Sequence, residues 1–246
     1  MSAALPSTTL RGRRIVIVGG SSGIGRAIAA QAGQLGAEVT ITGRDRDKLE
    51  RAAKAVNAAK TAVLDAHDTA ALDDFFASLE PTDHLVSMVG DSMAGGFLDT
   101  SEDVMLHVLN SKFLTNWRIG TRAGKVLNPG GSLTFTAGTG GRPHEISATY
   151  VANLGLGALV QGLAYELAPT IRVNAVAPTF MGTRTAFWRD QPSQAIAEQA
   201  AAFAEAVPLR RIATPDEVAA TYLHLITNDY LTGQVVAVDG GVMLGR

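Results

Sequence analysis

Three glycines that follow a short apolar run are the residues of this sequence best suited to bind a ligand. The run covers residues 15–18, the glycines are Gly19, Gly23 and Gly25, and a helical pattern of apolar residues comes next. Glycine permits a tight turn and close backbone approach, and the helix after it presents free N–H groups and a positive dipole end. A pyrophosphate suits such a place, so the stretch predicts a dinucleotide site; an ordinary glycine-rich turn is the alternative.

A basic residue follows the second predicted strand, where a ribose is expected. Arg44 lies about 20 residues beyond the glycine turn, in the region that contacts the adenosine ribose of a bound dinucleotide. A guanidinium pairs with a 2′-phosphate, whereas an acid would bond the free ribose hydroxyls, so the sequence favours NADP(H) over NAD(H). The adjacent Asp45, and a merely solvated arginine, keep the alternative open. Asp65, after the third strand, is expected to accept from the adenine amino group or to cap a helix.

The elements that hold these residues alternate between strand and helix along the chain. About seven short apolar strands alternate with amphipathic helices, which predicts an α/β fold: a Rossmann-type, doubly wound parallel sheet with helices on both faces. Ligands of such sheets bind at the carboxyl ends of the strands. We expect a flexible lead-in over residues 1–10, a single dinucleotide-binding domain over residues 11–246, and a lid-like insertion around residues 179–208.

The composition excludes several classes of protein. The 246 residues carry a net charge of −2 with no basic tract, and they include no cysteine, so nucleic-acid binding, disulfides and thiolate metal sites are not expected. The sequence offers no metal-ligand spacing and no apolar run of the ~18–20 residues that a membrane span needs. We therefore expect a cytoplasmic protein that acts on a small molecule.

The order of these motifs resembles the short-chain dehydrogenase/reductase family from about residue 13 to residue 241. The segment GGSSGIG (residues 19–25) is similar to the family's glycine turn, and IRVNAVAP (residues 171–178) is similar to its sixth strand. The segments PLRRIATPDEVA (residues 208–219) and LTGQVVAVDGG (residues 231–241) resemble its C-terminal third. The resemblance implies hydride transfer between a nicotinamide and a carbonyl or alcohol, and a homo-oligomer, either a tetramer or a dimer.

The family's catalytic residues are an asparagine, a serine, a tyrosine and a lysine, and this sequence matches two of them. Tyr150 and Asn110 stand at the tyrosine and asparagine positions, so the resemblance assigns them to catalysis. Leu154 stands four residues after the tyrosine, where the lysine is expected, and Gly138 or Ala137 stands at the serine position. Lys112 is expected to point away from the face of Asn110. Nearby side chains that could substitute are Thr136, Thr139, Arg142, His144 and Glu145.

Two functions follow from this incomplete match. The first is an NADP(H)-dependent oxidoreductase with an atypical active site, reducing a small carbonyl or a C=C or C=N bond. The second is an NADP(H)-binding protein without hydride transfer: a sensor, a scaffold or an inactive subunit. In the expected lid, Phe180, Met181, Phe187 and Trp188 indicate an apolar or aromatic ligand; packing on the protein itself is the alternative. The residues expected to contact the cofactor are Gly19, Ser21, Ser22, Gly23, Ile24, Gly25, Arg44, Asp65, Gly90, Tyr150, Met181 and Thr183.

Overall fold

One parallel sheet forms the centre of the protein, in a computed structural model that describes residues 9–181 and 193–245. Its strands, in chain order, are β1 Arg14–Val18, β2 Glu38–Gly43, β3 Lys60–Val63, β4 Thr82–Ser87, β5 Leu127–Thr136, β6 Arg172–Pro178 and β7 Val235–Val238. Their spatial order is β3-β2-β1-β4-β5-β6-β7, and every neighbouring pair is parallel. The predicted doubly wound sheet is therefore confirmed.

Helices cover both faces of the sheet. They are α1 Gly23–Gln34, α2 Arg46–Val56, α3 Thr69–Ser78, α4 Glu102–Val108, α5 Thr115–Val126, α6 Ser147–Leu167, α7 Ser193–Ala206 and α8 Pro215–Thr227. Successive residues of β1 face opposite sides: Ile15 and Ile17 pack with α1, α2 and α8, whereas Val16 and Val18 pack with α3, α5 and α6. A strand buried on both faces reads as a continuous apolar run, which is the pattern of residues 15–18.

The helical region over residues 102–126 is not a regular α-helix throughout. A π-helical segment, Leu109–Leu114, separates α4 from α5. Both the backbone N–H and the hydroxyl of Thr115 donate to the carbonyl of Asn110, five residues earlier, the hydroxyl at 2.9 Å. The wider turn shifts the face that the following residues present, so helical spacing counted through residue 110 does not hold beyond it.

The described part of the chain begins at residue 9, and Leu10 packs into the fold. Leu10 is buried, and its N–H donates to the carbonyl of Leu35 at 2.9 Å. Residues 1–8 lie outside the described part of the chain. Of the expected lid-like insertion, α7 is described, whereas Phe187 and Trp188 fall outside the described residues.

Candidate active site

A cleft of about 1440 Å³ opens along the carboxyl ends of the strands. Loops after β1 to β6 line it, together with the first turns of α1, α6 and α8. Its volume exceeds the ~300–1,000 Å³ of pockets for drug-sized ligands. Because β1 lies between β2 and β4, the strand order reverses there. This switch point divides the cleft into a β1–β3 half and a β4–β6 half.

The glycine turn between β1 and α1 leaves a helix N-terminus open to the cleft. Gly19 and Gly23 have φ angles of +92° and +52°, a region that glycine occupies without strain. A Cβ on Gly25 would collide with the carbonyl oxygen of Gly19, so a glycine is required for the helix to approach the turn. Ser22 precedes α1 without a side-chain cap, and the first turn contains no acid. The turn is therefore suited to an anion.

Most residues predicted to contact the cofactor are brought together in this cleft. Those that line it are Gly19, Ser21, Ser22, Gly23, Ile24, Gly25, Arg44, Asp65, Gly90 and Met181. Tyr150 is not part of the lining, and Thr183 lies outside the described residues.

Two exposed cations, Arg44 and Lys48, line the outer end of the β1–β3 half. Asp45 lies between them in sequence, but its carboxylate accepts a hydrogen bond from the N–H of Lys48 at 2.9 Å and caps α2. This carboxylate is therefore engaged at a helix N-terminus. Sequence analysis did not identify Lys48; its position four residues after Arg44 was the available indication.

Asp65 also lines the β1–β3 half, and its expected capping role belongs to another residue. The carboxylate of Asp68 caps α3 by accepting from the N–H groups of Ala70 and Ala71. The carboxylate of Asp65 accepts only from the N–H of His67, at 3.0 Å, among the contacts within the described chain. A carboxylate oxygen therefore remains at the cleft for a ligand.

The residues matched to the catalytic motif lie away from the cleft. Tyr150 is half-buried, Leu154 is 62% exposed, and neither lines the cleft. Asn110 lines a separate surface groove together with Phe113, and its side-chain oxygen accepts from Arg118 at 3.1 Å. Within the described residues, the structure does not bring Tyr150 and Asn110 together at one site.

Thr149 and Asn153 line the cleft instead. Each lies one residue before a position aligned with the family's tyrosine or lysine, Tyr150 and Leu154. The helix packs on the sheet through Ala152, Leu156 and Val160. Positions 149 and 153 lie on the same side of α6 as these residues, because residues three or four apart are neighbours on a helix surface. The spacing of the small and apolar residues of α6 was therefore the sequence signal that places Thr149 and Asn153, rather than Tyr150 and Leu154, on the buried side.

The hydroxyl of Thr149 is fully engaged by one backbone residue. It accepts from the N–H of Met93 at 2.8 Å and donates to the carbonyl of Met93 at 3.0 Å. Thr149 is buried, so these two bonds tie the loop after β4 to the start of α6. A hydroxyl held in this way stabilises the cleft wall and has no proton to spare for a ligand.

Two buried polar atoms of the β4–β6 half have no partner within the described chain. They are the side-chain oxygen of Asn153 and the hydroxyl of Thr179, and both residues line the cleft. A Cβ on Gly138 would lie 3.1 Å from the amide nitrogen of Asn153, so Asn153 fills the space beside the expected serine position. Unpartnered buried polar atoms are costly, and a polar ligand in the cleft would satisfy them.

Lys112 lies buried at the wall of the β4–β6 half, only 4% exposed, and it lines the cleft. Its stem packs so closely on Gly90 that a Cβ there would lie 2.8 Å from Cγ of the lysine. Burial lowers the pKa of Lys112 to about 8, against an opposing effect of Asp91. Asp91 in turn is hydrogen-bonded to His107 at 3.0 Å. Lys112 does face away from Asn110, as expected, but towards the cleft.

The side chain of Asn116 holds Lys112 in this position. Its amide donates to the carbonyl of Lys112 at 2.6 Å and to the carbonyl of Val89 at 3.0 Å, while its oxygen accepts from the hydroxyl of Ser87 at 2.6 Å. Asn116 is completely buried. The π-helical segment and the end of β4 are thus joined through one amide group.

The loop after β5 contributes threonines to the cleft rather than charged groups. Thr136 and Thr139 line it, and the hydroxyl of Thr136 bonds the carbonyl of Ser87 and the phenol of Tyr222, each at 2.7 Å. The other suggested substitutes, Arg142, His144 and Glu145, are exposed and are not part of the lining. Across the described residues, no group of three or more acidic or histidine side chains is arranged to hold a metal ion, and no helix has the length and hydropathy of a membrane span.

Comparison with known proteins gives a consistent family. Residues 18–243 match a family model described as enoyl-(acyl carrier protein) reductase. A short-chain dehydrogenase/reductase, ATR9 of Stachybotrys chlorohalonatus, is 30% identical over 96% of this chain and 99% of its own. The 3-oxoacyl-[acyl-carrier-protein] reductase FabG of Rickettsia bellii is also 30% identical, over 96% of this chain and 98% of its own.

Solved structures share the fold. An actinorhodin polyketide ketoreductase variant, determined with NADPH, superposes with a TM-score of 0.82 over 94% of this chain and 97% of its own, at 23% identity. The sheet order, the glycine turn and these matches define a nucleotide-binding Rossmann domain of the oxidoreductase type. The chain belongs to the short-chain dehydrogenase/reductase family.

Proposed function

We propose that this protein is an NADP(H)-dependent oxidoreductase that reduces a small carbonyl compound. One observation carries the proposal: a single cleft joins an open helix N-terminus, two cations at one end, and unpartnered polar atoms at the other. The helix N-terminus suits the pyrophosphate of NADPH, the two cations suit the 2′-phosphate, and the polar atoms suit the nicotinamide end.

The residues present fit this cofactor on the evidence of their own contacts. The missing Cβ of Gly25 lets α1 approach the turn, and the first N–H groups of α1 would bind the pyrophosphate. Arg44 and Lys48 would bind the 2′-phosphate, because Asp45 is engaged in its cap. Asn153 would accept from a ribose hydroxyl through its unpartnered oxygen. The bound nicotinamide would supply the hydride.

The substrate would occupy the remaining space of the β4–β6 half. Phe180 and Met181 line the cleft together with Thr139, so an apolar group with one polar end suits it. Relatives are named as reductases of 3-oxoacyl groups and, in Bacillus subtilis at 28% identity, as a probable 2,4-dienoyl-CoA reductase. A ketone or aldehyde is therefore the first substrate class to test, followed by activated C=C and C=N bonds.

A second candidate is a protein that binds NADP(H) without transferring hydride. The specific observation in its favour is the pair of hydrogen bonds between Thr149 and Met93. The hydroxyl of Thr149, the residue before Tyr150, makes both of these bonds and is not available to a substrate. The phenol of Tyr150 does not line the cleft. In this case the same cleft would serve as a nucleotide sensor or as an inactive subunit.

Transfer of a label decides between the two. NADPH deuterated at C4, in each stereochemical form, is incubated with the protein and a panel of ketones, aldehydes, enones and imines. Deuterium in an alcohol product, detected by mass spectrometry and absent with the Gly25→Ala variant, supports the reductase. NADPH that binds tightly but passes no label to any member of the panel supports the binding protein.

We also propose that the protein forms a homo-oligomer through the surface of α4, the π-helical segment, α5 and α6. This surface exposes large apolar side chains, among them Leu106, Trp117 and Leu154, and it contains an apolar groove of about 750 Å³. Contiguous exposed apolar groups mark interaction surfaces. Light scattering tests this: a multiple of the 25.6 kDa chain mass is expected, and the mass of one chain would contradict it.

A further inference from the structure

We propose that Lys112 is the proton donor of this active site, replacing the lysine and the tyrosine that the family places on α6. The inference rests on the proposed reductase function. In that reaction Lys112 gives the substrate oxygen its proton from the wall of the β4–β6 half of the cleft.

Few ionisable groups reach this half of the cleft. Within the described chain, the ionisable residues that line it on the β4–β6 side are Asp91 and Lys112, and Asp216 lines the cleft from the start of α8, where its carboxylate accepts from Gln31 at 3.3 Å. The carboxylate of Asp91 is already hydrogen-bonded to His107 at 3.0 Å. The loop after β5 and the start of α6 contribute only threonine, glycine, asparagine and small apolar side chains to this part of the lining. Lys112 is the remaining group that can give up a proton.

Contacts on two sides fix the position of Lys112. Its stem is packed on Gly90, where any side chain would displace it. Its carbonyl is held by Asn116, which also holds the end of β4. A lysine buried to 4% exposure without an ion pair destabilises the fold, so a purely structural site would favour an apolar side chain. The cleft is the direction in which this ammonium meets a polar ligand.

The surroundings of Lys112 suit proton transfer at neutral pH. Burial lowers its pKa to about 8, near the pH at which a general acid works best. The charged group that faces it is Asp91, from the loop after β4. On the side of β3, His67 is hydrogen-bonded to the hydroxyl of Thr115 at 3.1 Å. No titratable side chain of α6 lines the cleft within the described residues.

Reduction of the carbonyl needs one hydride and one proton. The carbonyl carbon of the substrate receives the hydride with its two electrons, and the C=O π bond breaks. The oxygen takes one proton from Nζ of Lys112, which becomes a neutral amine. The carbonyl compound is reduced to an alcohol, the nicotinamide is oxidised, and water in the cleft returns a proton to the amine.

The test compares Lys112→Met with Lys112→Arg and with Lys125→Met, a matched control at an exposed position of α5. We expect Lys112→Met to lower kcat by ~10²–10⁴-fold, the usual contribution of general acid catalysis, while the Kd for NADPH changes less than threefold. Lys125→Met is expected to match the wild type. In the wild type kcat falls above pH 8, and Lys112→Arg, whose guanidinium stays charged, loses this alkaline limb.

A second readout does not depend on turnover. Replacing a buried ammonium by a thioether of similar length is expected to raise the thermal unfolding midpoint of Lys112→Met by a few degrees, because the cost of burying the charge disappears. A midpoint lowered in that variant would show that the lysine is structural, and would overturn the inference. In wild-type protein with ¹³C-labelled lysine, the Lys112 resonance is expected to titrate near pH 8 and to shift when NADPH is added.

Failure of this inference differs from failure of the proposed function. A wild-type protein that neither binds NADPH nor passes deuteride to substrate overturns the function, and the inference with it. A wild-type protein that does both, with kcat of Lys112→Met within threefold of it, overturns the inference alone. So does a Lys112 resonance that saturating NADPH leaves unchanged.

Discussion

The side-chain amide of Asn116 donates to the backbone carbonyl of Lys112 at 2.6 Å, four residues earlier in the chain. The same side chain accepts from Ser87 at the end of β4 and donates to Val89 in the loop after it, so one asparagine joins a strand end to the π-helical segment. The expected consequence is that the position of Lys112 depends on a residue that does not line the cleft.

Replacing Asn116 should destabilise the protein strongly. Asn116→Ala removes three hydrogen bonds from a buried region, those to the carbonyls of Lys112 and Val89 and to the hydroxyl of Ser87, and each such bond contributes about 0.5–1.5 kcal/mol. We expect a loss of roughly 2–4 kcal/mol in the free energy of unfolding, measured by urea denaturation. Ser87→Ala, which removes a single bond, should lose less. Equal stabilities for Asn116→Ala and the wild type would show that the network contributes nothing.

The family motif assigns Tyr150 to catalysis, whereas its position in the structure argues against that role. Because Tyr150 does not line the cleft, Tyr150→Phe is expected to change kcat less than threefold. Thr149→Val should instead lose about 1–3 kcal/mol of stability, since Met93 would keep an unpaired N–H and carbonyl. Steady-state kinetics and urea denaturation of both variants provide the measurements. A hundredfold loss of kcat in Tyr150→Phe would restore the family assignment.

Glycine positions 25 and 162 should respond in opposite ways to alanine. At Gly25 a Cβ meets the carbonyl oxygen of Gly19, so Gly25→Ala is expected to displace the turn and weaken NADPH binding more than tenfold. Gly162 is an exposed position of α6 with no atom near its Cβ direction. Gly162→Ala should gain about 0.5–1 kcal/mol, the difference in helix propensity. Calorimetric titration and thermal unfolding check both, and tight NADPH binding by Gly25→Ala would argue against the anion cradle.

His84 should make the protein sensitive to acid. Burial, aided by Arg172 and Arg13, lowers the pKa of His84 to about 4, and its Nδ1 is 2.9 Å from the hydroxyl of Ser132. The native state keeps this ring neutral where the unfolded chain protonates it, at an ordinary pKa of about 6.5. Stability from this group is therefore complete above pH 6.5 and declines towards pH 4 by up to ~1.4 kcal/mol per pH unit.

The control for that prediction is His84→Gln, which retains a hydrogen-bonding group beside Ser132 without a titrating ring. Its stability should fall less steeply than that of the wild type between pH 6.5 and 4. Parallel pH profiles of the two proteins, measured by urea denaturation, would show that His84 is not the group responsible.

Local patterns made most of the fold predictable from the sequence. The run at residues 15–18 and the glycines after it are local features, and they form the expected strand and the turn into a helix. What the pattern did not provide was the rotation of α6: a one-residue shift exchanges Tyr150 and Leu154 for Thr149 and Asn153 at the cleft.

The remaining differences depend on tertiary contacts. The π-helical segment is fixed by Thr115 and Asn116, and nothing in helical periodicity predicts it. The engagement of Asp45 in a helix cap, next to the exposed cations Arg44 and Lys48, becomes visible only in the hydrogen bonds. Roles assigned to single residues from a motif are therefore less transferable than the elements that hold them.

The most direct test of the account is a fluorescence titration of the purified protein with NADPH and, in parallel, with NADH. Charge-assisted hydrogen bonds worth about 1.5–3 kcal/mol should make NADPH bind at least ~10-fold more tightly than NADH. Arg44→Ala should remove most of this difference, whereas Arg51→Ala, at an exposed position of α2 outside the cleft, should retain it. Equal affinities for the two nucleotides, or no binding of either, would contradict the proposed NADP(H) site.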